Sequence, residues 1–448
     1  MKKFFIILIT KIICFILKIF GKNGGNLPGK LAFKWDSKIF KYFKIDGKII
    51  AVTGTNGKTM TNNCIGQILK DSGKTIISNV EGNNMETGIL SVLIKNCSIF
   101  GKVKADFLVF ETDESYVPVL YSMIPLDCLV VLNFFRDQLD RSGEVESLIL
   151  KNQKFLENYT GNLVLNGDDP NVARLGRANK KNRNIFYYHV NKYEYSTTEP
   201  VEAGEGKFCP FCNTRLIYEY YQYAHIGRFK CPKCYYGNNQ FTHILTDIDL
   251  KERTFKIEQT LYKTQFNSIY AIYNLAAATA VAKIYDIPEE SVIKTVEGFV
   301  LNNGRLEKVE IDGCETVINL AKNPTGANVS LRLVNEDEEN KELLFVLNDN
   351  LADGRDVSWI WDINFEELKN VDRIITAGTR FLDMAIRIKN SGYPEENIIP
   401  CDSIEKAVNE LYKTKGKKYA IANYTSVQDT RNEIIKYKEK SGVKDERD

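Results

Sequence analysis

Gly54-Thr55-Asn56-Gly57-Lys58-Thr59 brings two glycines, a lysine and a hydroxyl into one short stretch. That set can hold a nucleoside triphosphate. Backbone N–H groups of a glycine turn, followed by the start of a helix, cradle phosphates. Lys58 reaches the outer phosphates, and the Thr59 hydroxyl ligates Mg²⁺. The flanks agree: Ile49 to Val52 is an apolar run suited to a strand, and Met60, Cys64, Ile65, Ile68 and Leu69 share one helical face. The glycines stand closer together than in the common phosphate-loop pattern. The chain is thus expected to use ATP.

Other constellations carry chemistry of their own. Phe107 to Phe110 is a buried-strand pattern ending in Glu111-Thr112-Asp113-Glu114. An acid at the tip of a neighbouring strand can hold Mg²⁺ beside a phosphate loop, and Glu111 comes first after the apolar run. Asn133-Phe134-Phe135-Arg136-Asp137-Gln138-Leu139-Asp140-Arg141 follows another such strand, with polar groups at the same sheet edge. Cys209-Pro210-Phe211-Cys212 and Cys231-Pro232-Lys233-Cys234 form two knuckles separated by 18 residues. Each turn aims two sulfurs at one point, the pattern of a closed, structural Zn²⁺ site, with a redox pair as the alternative. Asp349, Asp353, Asp356 and Asp362 crowd one loop with Arg355, Trp359 and Trp361. Clustered acids can orient a base or bind a cation, or simply build turns. Asn302 to Glu307 and Leu320 to Gly326 add Arg305 and Lys322 near a domain junction. His189, His225 and His243 form no triad by spacing, and none is assigned to catalysis.

The elements that must position these groups alternate. Strands are expected at Ile49–Thr53, Thr75–Ser78, Phe107–Glu111, Cys128–Asn133 and Leu163–Asn166, with helical patterns between them. This implies a parallel sheet covered on both faces, with ligands at the carboxyl ends of its strands. Residues 200–242, with both knuckles and six tyrosines, interrupt the rhythm as an inserted module. An alanine-rich helix follows over Asn267–Tyr285. A second α/β unit is expected from about Cys314, with strands at Leu343–Leu347, Arg373–Thr376 and Tyr419–Ala422.

The chain of 448 residues carries a net charge of +2 and 26% charged residues, which makes no case for nucleic acid. The six cysteines outside the knuckles are expected as buried thiols in a reducing cytosol. Phe4 to Phe20 is apolar but interrupted by Lys11 and Lys18, and no small-residue cleavage site follows. Three settings stay open for it: a helix packed on the protein or a partner, a helix on a membrane surface, and a marginal span. In each, the nucleotide site faces the cytoplasm.

TGTNGKT, the strand ending in Glu111, LNGDDP (Leu165 to Pro170), YNLAA (Tyr273 to Ala277) and GRLE (Gly304 to Glu307) together resemble the Mur ligases. LAKNPTG, DGRDVSWIWD, AGTRFLDMAIRIK (Ala377 to Lys389) and NYT (Asn423 to Thr425), with the four cysteines, are similar to an amidating branch of that family. The likeness runs from about Lys22 to Lys436. It implies a central parallel sheet with a phosphate loop, an inserted four-cysteine zinc ribbon and a C-terminal Rossmann-like α/β domain. The expected bounds are 1–46 for an N-terminal helical segment, 47–310 for the ATP-binding domain carrying the 200–242 insertion, and 311–440 for the last domain.

The resemblance also implies an activity. ATP would phosphorylate the α-carboxyl of D-glutamate in the stem peptide of lipid II or a related muropeptide. Ammonia from a separate GatD-type glutaminase would then displace the phosphate. Gly54 to Thr59, Asn274 and Arg305 would bind nucleotide, Thr59 and Glu111 would hold Mg²⁺, and an aspartate of the last domain would complete the partner's Cys–His pair. Asp356 ranks first for that role, then Asp353, then Asp349. The chain departs from the family in places. Gln138 stands where many members have a metal-binding histidine. Lys151 and Lys154 are both near the place of a carbamylated lysine, and neither aligns with it; Ala271 replaces the first of two adenine-side asparagines. Competing expectations are a Mur-like amino-acid ligase working without a glutaminase, and a zinc scaffold with a dead nucleotide fold.

Overall fold

A computed structural model describes residues 2–19, 25–79, 84–136, 145–179, 182, 184–200, 205–238, 240–301, 306–311 and 313–440. Contacts divide the chain into two units that meet in sequence after Phe299.

The first unit is built on a nine-stranded sheet. Its strands are β1 (Lys44–Thr53), β2 (Ile76–Ser78), β3 (Lys102–Glu111), β4 (Cys128–Val131), β5 (Asn162–Asn166), β6 (Ile185–Val190), β9 (His243–Asp249), β10 (Thr254–Ile257) and β11 (Thr260–Lys263), in the order β11-β10-β9-β6-β5-β4-β1-β3-β2. From β2 to β9 every neighbouring pair is parallel. The carboxyl ends of β1, β3 and β4 are therefore side by side, at the edge where ligands collect. The apolar runs of these strands are buried on both faces, as a covered parallel sheet requires. The helices Lys58–Asp71 and Ile269–Ile284 pack together against it.

Continuous strand–helix alternation does not extend to the sheet's far edge. There β9, β10 and β11 form an antiparallel meander. Its links are too short for a crossover, and Arg253 and Glu258 turn the chain at positive φ. Separately, β7 (Ile217–Tyr223) and β8 (Ile226–Lys230) pair as an antiparallel hairpin between the cysteine knuckles.

Residues Lys2–Ile19 are helical and pack on helices Leu27–Trp35 and Glu86–Asn96 through Ile6 and Ile7. Among the described residues, no helix is long and apolar enough to cross a membrane. Cys64, Cys97, Cys128 and Cys314 are buried, whereas Cys14 and Cys401 are partly exposed.

The second unit holds a six-stranded sheet: β12 (Glu307–Ile311), β13 (Cys314–Leu320), β14 (Lys341–Val346), β15 (Val371–Ala377), β16 (Ile398–Pro400) and β17 (Lys417–Ala422), ordered β12-β13-β17-β14-β15-β16. All pairs are parallel except β12 with β13. Glu342, the second residue of β14, is 4% exposed. Arg373 donates to both its oxygens at 2.6 and 3.1 Å, and buried Lys418 donates at 3.1 Å. Burial alone would raise this carboxyl, but the donors from Arg373, Thr414 and Lys418 outweigh it and hold it below the usual range.

A depressed carboxyl stabilises the fold above its unfolded pKa and loses that contribution as pH falls through the folded one. Urea titrations should accordingly show the second unit weakening as pH drops below 4.5, the ordinary value for this group. Glu342→Ala, which removes the carboxylate from buried Lys418 while Arg373 keeps Glu410, should cost about 3 kcal/mol at neutral pH and flatten that dependence.

Candidate nucleotide, metal and acid sites

The turn after β1 is held open from one side. The backbone N–H of Thr55 donates to the Asn133 carbonyl at 3.0 Å. Asn133 also clamps Asn56 in both directions: its Oδ1 accepts from the Asn56 N–H at 2.9 Å, and its Nδ2 donates to the Asn56 carbonyl at 3.0 Å. The Phe135 N–H donates to Thr55 Oγ1 at 3.0 Å. These bonds tie the loop to the end of β4. The N–H groups of the first turn at Lys58 have no intrahelical acceptors, and Gly57 makes no side-chain cap there. The helix start is thus left as an anion site.

Both glycines are required. Gly54 has φ +136°, and a Cβ there would lie 2.9 Å from Leu132 Cβ. Gly57 has φ +88°, and a Cβ would meet Asn274 Oδ1 at 2.1 Å. Asn274, from helix Ile269–Ile284, thus packs directly on the loop backbone, and its Nδ2 lies 3.4 Å from Met60 Sδ.

The charged groups converge as the strand order dictates. Lys58 Nζ donates to the Gly54 carbonyl at 2.5 Å and lies 3.3 Å from Glu114 Oε2. Thr59 Oγ1 donates to Glu111 Oε2 at 2.7 Å. Adjacent oxygens around Mg²⁺ stand about 2.9 Å apart, given bonds of about 2.05 Å, so this pair fits two neighbouring ligand positions. Glu111 is fixed through its backbone, because Asn79 both accepts from its N–H and donates to its carbonyl at 2.8 Å.

Glu114 is the lysine's partner, while Glu111, the first acid for Mg²⁺ by sequence, meets Thr59. Asn152 donates to the Glu114 carbonyl at 3.1 Å. The helix Val145–Leu156 turns this asparagine inward and leaves Lys151 and Lys154 exposed, so neither lysine enters the site. Arg305 and the Asp137-Gln138-Leu139-Asp140 stretch lie outside the described residues.

The four cysteines meet. Their sulfurs lie within 4.8 Å of one another, with Cys209–Cys234 at 3.4 Å and Cys212–Cys231 at 3.5 Å. Those separations are far beyond a disulfide bond. They are close to the ~3.8 Å between thiolates around a tetrahedral Zn²⁺. The donor set therefore fits a metal with no ligand position left for water.

The hairpin β7–β8 carries this cluster onto the nucleotide domain. Tyr220 OH lies 3.2 Å from His189 Nε2, whose Nδ1 is 2.5 Å from Asp168 Oδ1. Tyr273, beside Asn274, donates to Asp168 Oδ2 at 2.7 Å. At the hairpin tip, the rings of Tyr223 and His225 pack on Phe135, with centroids 6.1 and 4.8 Å apart. Phe135 is the residue bonded to Thr55 of the phosphate loop.

In the second unit, distant motifs interlock. Asn348 N–H donates to Asn423 Oδ1 at 3.1 Å, and Asn423 Nδ2 donates back to the Asn348 carbonyl at 2.7 Å. Asn348 Oδ1 accepts from the Thr379 N–H at 3.0 Å. Asp349 accepts from Thr379 Oγ1 at 2.8 Å and faces Arg380 at 3.5 Å. Asp353 is 5% exposed and accepts from both the N–H and the hydroxyl of Thr425. Burial raises its carboxyl despite those bonds.

Asp356 differs. It is exposed, accepts from the Ser358 N–H at 2.8 Å, and is held below the usual carboxylate range chiefly by that bond. Asp356, Ser358, Trp361, Arg380 and Asp383 help line a cavity of ≈ 340 Å³. Of the two tryptophans, Trp359 packs against the core, whereas Trp361 is 54% exposed. Asn323 of LAKNPTG caps helix Pro324–Glu336, its Oδ1 accepting from Gly326 N–H at 2.8 Å.

A parallel sheet with a phosphate loop at its switch edge, followed by a second α/β unit, is the architecture of the Mur ligases. Solved structures share it. A pseudomurein peptide ligase type C from Methanothermus fervidus superposes with a TM-score of 0.69 at 23% identity, over 89% of this chain and 80% of that one. MurF from Acinetobacter baumannii gives 0.62 at 15% identity, over 92% and 80%. The Mur ligase middle-domain model matches residues 52–231, and the MurT ligase C-terminal model matches residues 320–427.

The chain belongs to the Mur ligase family, among its MurT proteins. It is 35% identical over 416 residues, 91% of its length and 92% of the relative's, to the lipid II isoglutaminyl synthase (glutamine-hydrolyzing) subunit MurT of Staphylococcus aureus (strain COL). To the subunit of the same name from Streptococcus pneumoniae (strain ATCC BAA-255 / R6) it is 30% identical over 93% of each chain.

Two measurements probe these contacts. Gly57→Ala must occupy left-handed backbone, at about 1–2 kcal/mol, and displace the Asn274 amide. It should lower the melting temperature and weaken ATP binding at least about tenfold, with Asn274→Ser restoring part of the stability; unchanged ATP binding would show the loop tolerates a Cβ. Cys231→Ser should abolish stoichiometric metal and lower melting by about 5 °C or more. It should also weaken nucleotide binding, because the hairpin tip backs Phe135.

Proposed function

We propose that this chain is the ATP-dependent ligase subunit of a lipid II isoglutaminyl synthase. The observation that carries this is likeness to subunits of that name along 91% of the chain, with the Lys58–Thr59–Glu111 constellation intact. The stem-peptide D-glutamate α-carboxylate is a poor electrophile. Its oxygen attacks the γ-phosphorus of ATP, ADP leaves, and an acyl phosphate forms. Ammonia then adds to the carbonyl carbon, phosphate departs with the C–O bonding pair, and loss of a proton leaves the amide of D-isoglutamine.

The residues have defined parts in this scheme. The loop Gly54–Thr59 and the helix start bind phosphates, and Lys58 moves from Glu114 onto the outer phosphate oxygens. Thr59 and Glu111 would hold Mg²⁺, which would supply positive charge beside the phosphoryl group. Arg305 and Asn274 serve the nucleotide, and the four cysteines would hold a Zn²⁺ in a structural role. Ammonia comes from a GatD-type glutaminase. The domain bounds are then 1–46, 47–310 with the 200–242 insertion, and 311–440. A lipid-linked substrate would put the enzyme at the inner face of the membrane.

Asp356 is the acid we assign to the partner's catalytic histidine. It is exposed, held ionised and backed by a cavity, whereas Asp353 spends both oxygens on Thr425. A carboxylate in that role orients an imidazole.

Reconstitution with a GatD-type glutaminase separates the parts. Lys58→Ala should abolish ATP-dependent amidation of lipid II with either glutamine or ammonium. Asp356→Asn should lose glutamine-dependent amidation by at least about a hundredfold yet keep ammonium-dependent amidation. Wild-type chain that joins an amino acid to a carboxylate acceptor, and uses neither glutamine nor ammonium, would overturn the assignment.

A further inference from the structure

The first helix presents the wrong face to solvent. Phe5, Ile9, Ile12, Ile16 and Ile19 are exposed, and recur at spacings that stack them in a single stripe along Lys2–Ile19. Ile6, Ile7 and Thr10 on the opposite side are buried against the domain. A surface helix normally shows polar residues outward. Here the outward stripe is apolar from Phe5 to Ile19, with Phe15 beside it at 67% exposure.

The patch is wider than the helix. Phe100, 68% exposed, sits on the turn after helix Glu86–Asn96, and its ring lies 5.8 Å from that of Phe4. Isolated exposed apolar residues need no explanation, but a contiguous group of this kind marks a contact surface.

Charge identifies what the surface contacts. Residues 1–35 contain seven lysines and no acid. Lys2 continues the stripe at its N-terminal end, whereas Lys3, Lys11 and Lys18 lie off it, with Lys11 Nζ donating to the Lys95 carbonyl at 3.3 Å. Long lysine stems can lie along a bilayer boundary while the ammonium groups meet lipid phosphates. An apolar stripe on a helix that carries four lysines and no acid suits the interface of an anionic bilayer. A protein partner would need its own acids opposite these lysines; a bilayer of anionic lipid supplies them at every position.

We infer that Lys2–Ile19 is an interfacial helix that seats the first unit on anionic phospholipid, with Phe5, Ile9, Ile12, Phe15, Ile16 and Ile19 entering the acyl boundary. The inference rests on the helix surface and not on the ligase chemistry.

Sedimentation of the full chain with vesicles tests it. Phosphatidylglycerol–phosphatidylcholine vesicles should retain the protein, and phosphatidylcholine alone should retain about tenfold less, with binding weakening as salt rises. The triple variant Ile9→Gln, Ile12→Gln, Ile16→Gln should lose vesicle binding at least about tenfold, while its ATP affinity and melting temperature stay at wild-type values. Wild-type protein that stays in the supernatant with anionic vesicles overturns the inference. So does a wild-type dimer that the triple variant breaks without any effect on vesicles. Amidation assayed on a detergent-dispersed substrate reports on the ligase reading separately.

Discussion

Asn133 is the side chain on which the nucleotide site depends. A phosphate loop has to leave backbone N–H groups pointed at a ligand, and a chain segment left alone would turn those groups on itself. The clamp on Asn56, with the Thr55 bond beside it, satisfies the loop's near side from the end of β4. The far side stays open at the helix start. Because β4 is the immediate neighbour of β1, the clamp is a consequence of strand order. The same order brings β3 to the other flank of β1, and with it Glu111 against Thr59.

That arrangement explains why the loop is surrounded by asparagines and not only by charges. Asn79, Asn133, Asn152 and Asn274 each fix a backbone segment or fill a space that an aliphatic side chain would leave polar and unpaired. Lys58 rests on the Gly54 carbonyl and Glu114, so the site holds its cation in place before any phosphate arrives. The hairpin between the cysteine knuckles belongs to the same structure. Its tip packs on Phe135, and its Tyr220 closes a buried chain through His189 and Asp168 to Tyr273.

In the second unit, three stretches far apart in sequence assemble one loop cluster. Asn348 is bonded to Asn423 and Thr379, and Asp353 to Thr425, which leaves the next acid, Asp356, standing out from a braced base. The difference between two aspartates three positions apart is a difference in burial. One is spent on holding the fold, and the other remains ionised at the surface beside a cavity.

Much of this was written locally in the chain. Glycines at positive φ, a lysine and hydroxyl at a helix start, an acid ending an apolar run, and paired cysteine knuckles are short-range patterns, and each fixes its own chemistry. The sequence therefore determined a phosphate-loop pattern, a four-cysteine cluster and two α/β units. Tertiary structure decided which groups meet. Glu114 as the partner of Lys58, Asn133 as the clamp, Asn152 in place of Lys151 or Lys154, and the outward apolar stripe of the first helix all depend on which strand lies beside which and which helix face is covered. Periodicity tells that a helix has an apolar side; only packing tells whether that side faces the core, because residues far away in the chain provide the surface that covers it.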